Sequence, residues 1–221
     1  MAEALAPFSC TFSPNLPELL HTFRCTMAIS TYQAGKVIFI SAPEPSRLIQ
    51  LPRNFDKPMG LALSGDRLAV ATRDQVVVLA NAHRMAKNFP HQPDTYDSLL
   101  LPRAVYFTGE TDIHDLFWIE EKFPAVNTRF SCVATIDEHY SFTPTWKPFF
   151  ITTITPNDQC HLNGVALEHD KPVYVTALGK TDLPEGWRIN KSGGGILMDV
   201  EEKRLLSLNL PMPHSPRGHD G

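Results

Sequence analysis

Short apolar runs of strand length, broken at intervals by Gly, Asp, Asn, Ser and Pro, dominate this chain. Residues 30–41 are rich in β-branched and aromatic side chains around a turn at Gly35-Lys36 and read as strand. Residues 61–63, 67–72 and 75–79 read as a meander with turns at Ser64-Gly65-Asp66 and Arg73-Asp74. Strands are expected again at 104–107, 112–118 and 127–136, and a last meander at 164–167, 173–176, 195–200 and 204–208. Residues 81–98, polar and holding Pro90 and Pro93, form a long insertion, and residues 179–194 a second loop. Residues 142–150 are aromatic and interrupted by proline, more like a connection than a strand. Alternation in the meanders is partial, as expected for sheets covered on both faces. The start is irregular apart from a short helix at 16–22. The expected organisation is therefore an irregular segment, 1–29, followed by one β domain, 30–221.

Four polar signatures punctuate this pattern: Lys57-Pro-Met-Gly60, Ile113-His114-Asp115, Cys160-His161-Leu-Asn-Gly164 and Pro213-His214-Ser-Pro-Arg217. His114 follows Gly60 by 54 positions, His161 follows after 47 more, and His214 after a further 53. Met59-Gly-Leu-Ala-Leu63 also matches Asn163-Gly-Val-Ala-Leu167. A period near fifty suits a four-stranded propeller blade. The expected fold is an all-β propeller, incomplete, with about three blades and the opening of a fourth. An open ring leaves a sheet edge exposed. The chain is therefore expected to be a fragment of a longer protein, or to have that edge covered by a protein partner.

Composition narrows the picture. With 20 Lys and Arg against 24 Asp and Glu, and no basic block, nucleic-acid binding is not expected. The 19 prolines, roughly double ordinary usage of about 5%, disfavour long helices. The strongest apolar runs, 37–40 and 76–80, are too short to span a bilayer, so no membrane partner is expected. The first residues lack a secretory pattern. Cys10, Cys25, Cys132 and Cys160 show no CxxC pairing and read as reduced thiols of a cytoplasmic protein.

The histidines carry the candidate chemistry. Equivalent positions in successive blades lie around one axis, so His114, His161 and His214 are expected to converge on a channel. Imidazole is the commonest transition-metal ligand, and three from separate blades would hold a divalent ion rigidly. The same side chains could instead act without metal on a polar ligand, or merely bridge blades. Asp115, beside His114, and Asp220, beside His219, could fix an imidazole tautomer. Arg129 and Arg217 could orient a carboxylate or phosphate, with Asn127 and Asn163 as amide donors. Cys160-His161 and His214-Ser215 are poor nucleophile–base pairs, because adjacent strand residues point to opposite faces. Lys191-Ser-Gly-Gly-Gly195 lacks phosphate-loop spacing and precedes a strand.

The expected function is binding, with or without transformation, of a small polar or anionic molecule at a histidine-lined channel, metal-assisted in one version. The alternative is a non-catalytic interaction module, with Trp146, Phe149 and Phe150 as its candidate surface.

Longer motifs support a family resemblance. Ser30-Thr-Tyr-Gln-Ala-Gly-Lys36, Val126-Asn-Thr-Arg-Phe-Ser-Cys132, Cys160-His-Leu-Asn-Gly-Val-Ala-Leu167, Tyr174-Val-Thr-Ala-Leu-Gly179, Gly186-Trp-Arg188 and Met212-Pro-His-Ser-Pro-Arg217 resemble the DUF4915 family from about Ser30 onward. The resemblance implies a propeller-like fold and members longer by about two blades. It implies no established activity.

Overall fold

The computed structural model describes residues 10–90 and 92–218. The chain forms two compact units, Met1–Phe55 and Asp56–Gly221.

In the first unit, helix α1, Leu16–Phe23, starts with proline in its first turn, where a missing N–H costs nothing. It ends at Arg24 in left-handed backbone. Leu20 packs on Ile40 and Ala42, with Leu16, Met27, Ile38 and Leu48 around them. The run at 30–41, read as strand around a Gly35-Lys36 turn, is a hairpin. Strand β1, Met27–Thr31, pairs antiparallel with β2, Lys36–Glu44, and β2 with β3, Arg47–Asn54. Gly35, with φ 61°, supplies the left-handed residue that this turn needs.

The second unit contains three antiparallel sheets, each a four-strand meander in chain order. The first holds β4 Leu61–Ser64, β5 Arg67–Ala71, β6 Gln75–Asn81 and β7 Leu100–Phe107. The insertion between β6 and β7 carries a single helical turn, α2, His83–Ala86. The second sheet holds β8 Ile113–Leu116, β9 Phe123–Asn127, β10 Cys132–Ile136 and β11 Thr143–Trp146. The third holds β12 Leu162–Glu168, β13 Lys171–Ala177, β14 Gly195–Asp199 and β15 Leu205–Leu210. The fold is all-β, with small antiparallel sheets in a propeller-like arrangement.

Two expectations about the second sheet need correction. Residues 127–136 are not one strand: β9 and β10 meet through a turn at 128–131, where Ser131 has φ 52°. Residues 143–146 form the outer strand β11 instead of a connection. Pro144 is tolerated because β11 is an edge strand, with a register shift in β10 opposite it.

Both faces of the middle sheet are buried. Phe123 and Ala125 join Ala69, Ala71, Val76, Val78, Ile113 and Trp118 in one core. Val126 and Val133 turn the other way, to Leu162, Val165, Val175, Ile196 and Met198. Every residue of β9 is accordingly buried, and the apolar pattern runs on instead of alternating. Each buried Val, Leu or Ile contributes about 1.5–3 kcal/mol.

The two matching Gly motifs do equivalent work. A Cβ on Gly60 would lie 3.1 Å from the backbone of Asp115 and Leu116. One on Gly164 would lie 2.4 Å from Pro216 and 2.8 Å from the Ser215 nitrogen. Each glycine opens the space through which the next signature passes. Among the described residues, no helix is long and apolar enough to cross a membrane.

Candidate functional site

Three imidazoles meet in the second unit. His114 lies on β8, two residues after Asp112, whose φ is 53°. His161 lies just before β12 and itself has φ 53°. The Leu178 amide donates to the carbonyls of Cys160 and His161, and that of Gly179 to Cys160, which pins this unusual backbone. A non-glycine residue held there is a local strain of the sort that collects at functional sites. His214 lies in the irregular segment after β15 and is exposed. The His114 ring centroid is 4.8 Å from that of His161, nearly edge-on at 82°, and 5.5 Å from that of His214. One ring nitrogen from each histidine lies within 4.8 Å of the other two.

The surroundings assign the protons on two of these rings. His114 Nδ1 is 2.8 Å from the Thr128 hydroxyl and 3.0 Å from the Asp112 carbonyl. Thr128 spends its one proton on the Leu162 carbonyl, at 2.5 Å. Its oxygen must therefore accept from Nδ1–H, which leaves the lone pair of His114 on Nε2. His161 Nδ1 is 2.9 and 3.0 Å from the two oxygens of Asp158 and donates to that carboxylate, again freeing Nε2. Asp158 also accepts the Trp187 indole N–H at 2.9 Å, and the indole stacks on His161 with centroids 4.2 Å apart. His214 has no hydrogen-bond partner among the described residues.

Burial disfavours a positive charge in this cluster. It holds His114 below its usual 6.5, partly offset by Asp112. Partial desolvation against the neighbouring rings, with the charges of His114 and His161, brings His214 down to about 4 although its outer side is exposed. Near neutral pH these two rings are therefore neutral, the form that ligates metal. The side chain of His114 is only 7% exposed and that of His161 14%. His214 closes the cluster on the solvent side.

The other sequence-predicted positions have different surroundings. Asp115 is buried, and the hydrogen bonds of its carboxylate go to groups other than the imidazoles. Its Oδ2 accepts from Arg217 Nη1 at 2.9 Å and from the Val165 amide at 3.2 Å. Its Oδ1 accepts from Arg217 Nη2 at 3.1 Å and from the Leu116 amide at 3.2 Å. The tautomer-fixing role suggested for Asp115 is filled at His161 by Asp158 instead. Asn163 donates to the Pro213 carbonyl at 3.0 Å and accepts the Thr176 hydroxyl at 2.7 Å. Asn127 accepts from the Phe130 amide at 3.1 Å, closing the turn after β9. Arg129 is exposed, its guanidinium 3.7 Å from Glu110. His219 and Asp220 lie outside the described residues. Trp146 donates to the Val200 carbonyl and, like Phe150, packs against the core, whereas Phe149 is largely exposed. The Cys160 thiol is buried and pushed up to about 12 by desolvation, away from nucleophilic use.

Asp112, Thr128, Asp158 and Trp187 were not anticipated. A signal existed for three of them, since Thr128 belongs to the quoted Val126-Asn-Thr-Arg-Phe-Ser-Cys132 motif. Asp158 precedes His161 by three residues, and Trp187 belongs to the quoted Gly186-Trp-Arg188 motif.

The profile of a family described as a domain of unknown function, DUF4915, matches residues 14–221. The chain belongs to the DUF4915 family. The match begins upstream of the motifs at Ser30. This DUF4915 chain is also similar to two solved structures of AztD from Citrobacter koseri. For one, identity is 12% and TM-score 0.33, over 89% of this chain and 48% of that chain. For the other, of apo AztD, identity is 11% and TM-score 0.33, over 85% of this chain and 48% of that chain. The DUF4915 chain thus spans about half the length of those proteins. No curated protein matches it.

Proposed function

We propose that His114, His161 and His214 bind one divalent transition metal through three imidazole nitrogens, and that this centre holds a small polar or anionic ligand. The observation that carries the reading is the convergence of three donor nitrogens within 4.8 Å, from three separate segments. Two of the rings, His114 and His161, also have their other nitrogen committed to a fixed partner. Tetrahedral donors at zinc–nitrogen distances of about 2.0–2.1 Å lie about 3.3 Å apart, so small torsional adjustments close the site. Neutral imidazole suits zinc, copper, iron or nickel. Asp158 supports the same reading, as an acceptor that orients a ligating histidine and makes it more basic.

Three protein ligands leave a fourth position open to solvent beside His214. A metal there would supply Lewis acidity to a ligand oxygen or activate a water, the requirement of hydrolase, lyase or isomerase chemistry. Arg129, on the turn next to Thr128, is the guanidinium offered to an anionic ligand. The same reading takes residues 211–218 as the opening of a further blade. A second reading, as an interaction module for a protein partner, draws on the exposed Phe149, Leu183 and Ile189 in the loops after β11 and β13.

The test is metal content after dialysis of the purified chain against zinc. One equivalent is expected, falling to background in His114→Ala and His161→Ala and losing affinity in His214→Ala. Background metal in the unaltered chain, or uptake indifferent to all three substitutions, would refute the centre.

A further inference from the structure

His214 differs from the other two histidines in how it is carried. His114 and His161 are set by the framework of β8 and β12. His214 rides on residues 211–218, which form neither strand nor helix. That segment is a strap laid across the third sheet, and specific contacts hold it down. Arg217 clamps Asp115 with both terminal nitrogens, and Nη1 also reaches the Val165 carbonyl at 3.1 Å. Asn163, fully buried on β12, donates to the Pro213 carbonyl. Its amide is aimed by the Thr176 hydroxyl, which occupies the oxygen end.

Two glycines clear the track. A Cβ on Gly164 would collide with Pro216 and Ser215, and one on Gly195 would lie 2.2 Å from Pro213 and 2.5 Å from the Leu210 carbonyl. Within the strap, Met212 and Ser215 have φ 47° and 48°, a conformation that survives in non-glycine residues only when surrounding contacts impose it. The strap is thus held by its contacts, and they place His214. The anchors are also close to the site in sequence: Asp115 follows His114, and Asn163 follows His161 by two residues.

We infer that the Asp115–Arg217 clamp, Asn163 and the Gly164–Gly195 track are positioning residues for the third ligand, and that metal binding and docking of the strap are one coupled equilibrium. This rests on the metal reading above. Because the third ligand is present only when the strap is docked, apparent affinity falls in proportion to the docked fraction. By reciprocity, the metal holds the strap down. A clamp variant that leaves the strap docked in about 1–10% of molecules weakens metal binding about 10–100-fold. Asp115 and Arg217 need not touch the metal or its ligand to do this.

The experiment is a titration of the whole chain with Co2+, whose visible absorption reports coordination, together with amide hydrogen exchange of residues 212–217. Arg217→Ala and Gly164→Ala are each expected to bind Co2+ about 10–100-fold more weakly, with an unchanged circular dichroism spectrum. Either change combined with His214→Ala is expected to add almost nothing to His214→Ala alone, since both remove the same ligand. In the unaltered chain, Co2+ is expected to slow exchange at 212–217. If Arg217→Ala fails to fold, Arg217→Lys keeps the charge without the two-pronged grip and carries the same expectation. Wild-type affinity in these variants, or losses that add fully to that of His214→Ala, would overturn the coupling and leave the metal centre standing. An unaltered chain that takes up no Co2+ would overturn both.

Discussion

His114 and Asp115 are neighbours on β8, at a register irregularity of that strand, yet their side chains meet opposite fates. Asp115 is saturated by four donors: two from Arg217 and the amides of Leu116 and Val165. Nothing remains with which to bind a ligand. His114 spends one nitrogen on Thr128 and Asp112 and keeps the other unspent, facing two further imidazoles. A polar group whose capacity is exhausted inside the protein holds the fold. A buried one with a lone pair to spare, grouped with others like it, is available to a ligand. The difference lies in the unfilled valence, since both side chains are buried and both are polar.

Substitutions should separate the two roles, and the largest effect belongs to Asp115. Asp115→Ala strips the partner from two amides and a guanidinium. Denaturant unfolding should show a loss of about 3 kcal/mol, toward the low end for a broken buried pair because Arg217 is 61% exposed. His114→Ala should reverse the pattern. Its stability change should stay near about 1 kcal/mol, while metal affinity, by competition with a chromophoric chelator, falls at least about 100-fold, or about 2.7 kcal/mol. Equal stability losses at the two positions would erase the contrast.

Smaller effects sharpen it. Asp158→Asn keeps the shape but removes the charge that orients His161, so metal affinity should drop about 10-fold, at the mild end for such partners. Acid should destabilise the metal-free protein. Folded His114 and His214 hold protons less readily than in the unfolded chain, so unfolding takes up protons and is favoured as pH falls. The loss should develop from about 6.5 down to about 4, the range between the free and folded values of His214. A denaturation series across that range should flatten in the double variant His114→Ala/His214→Ala, and an undiminished slope would contradict the assignment. The smallest effect concerns the thiols. Cys132 and Cys160, both pushed up to about 12 by burial, should resist a thiol reagent at neutral pH, while the exposed Cys10 and Cys25 react at once.

Spacing made the histidine set readable: His114 and His161 stand at the start of β8 and β12, and His214 reaches them from the segment after β15. The meanders were readable for the same reason: β4 to β6 and β12 to β15 follow apolar runs bounded by turn residues. What escaped was set by local exceptions. Pro144 made β11 look like a connection, although it sits in an edge strand. The Asp115–Arg217 pair joins residues 102 apart, and nothing in either residue's neighbourhood announces the other. Asp158 reaches the site from an irregular segment and Trp187 from a 3-10 turn at Gly186–Asn190, and neither shows a periodicity that would fix which way its side chain points. Spacing could locate the cluster, but only the three-dimensional contacts could tell the clamp from the ligand set.

The most direct test is X-ray absorption at the zinc edge on the zinc-loaded chain, alongside the three single histidine variants. Three imidazole nitrogens at about 2.0–2.1 Å, with one scatterer fewer in any variant that still holds zinc, is the predicted result. A shell of oxygens alone, or a spectrum unchanged by loss of His114, His161 or His214, would contradict it.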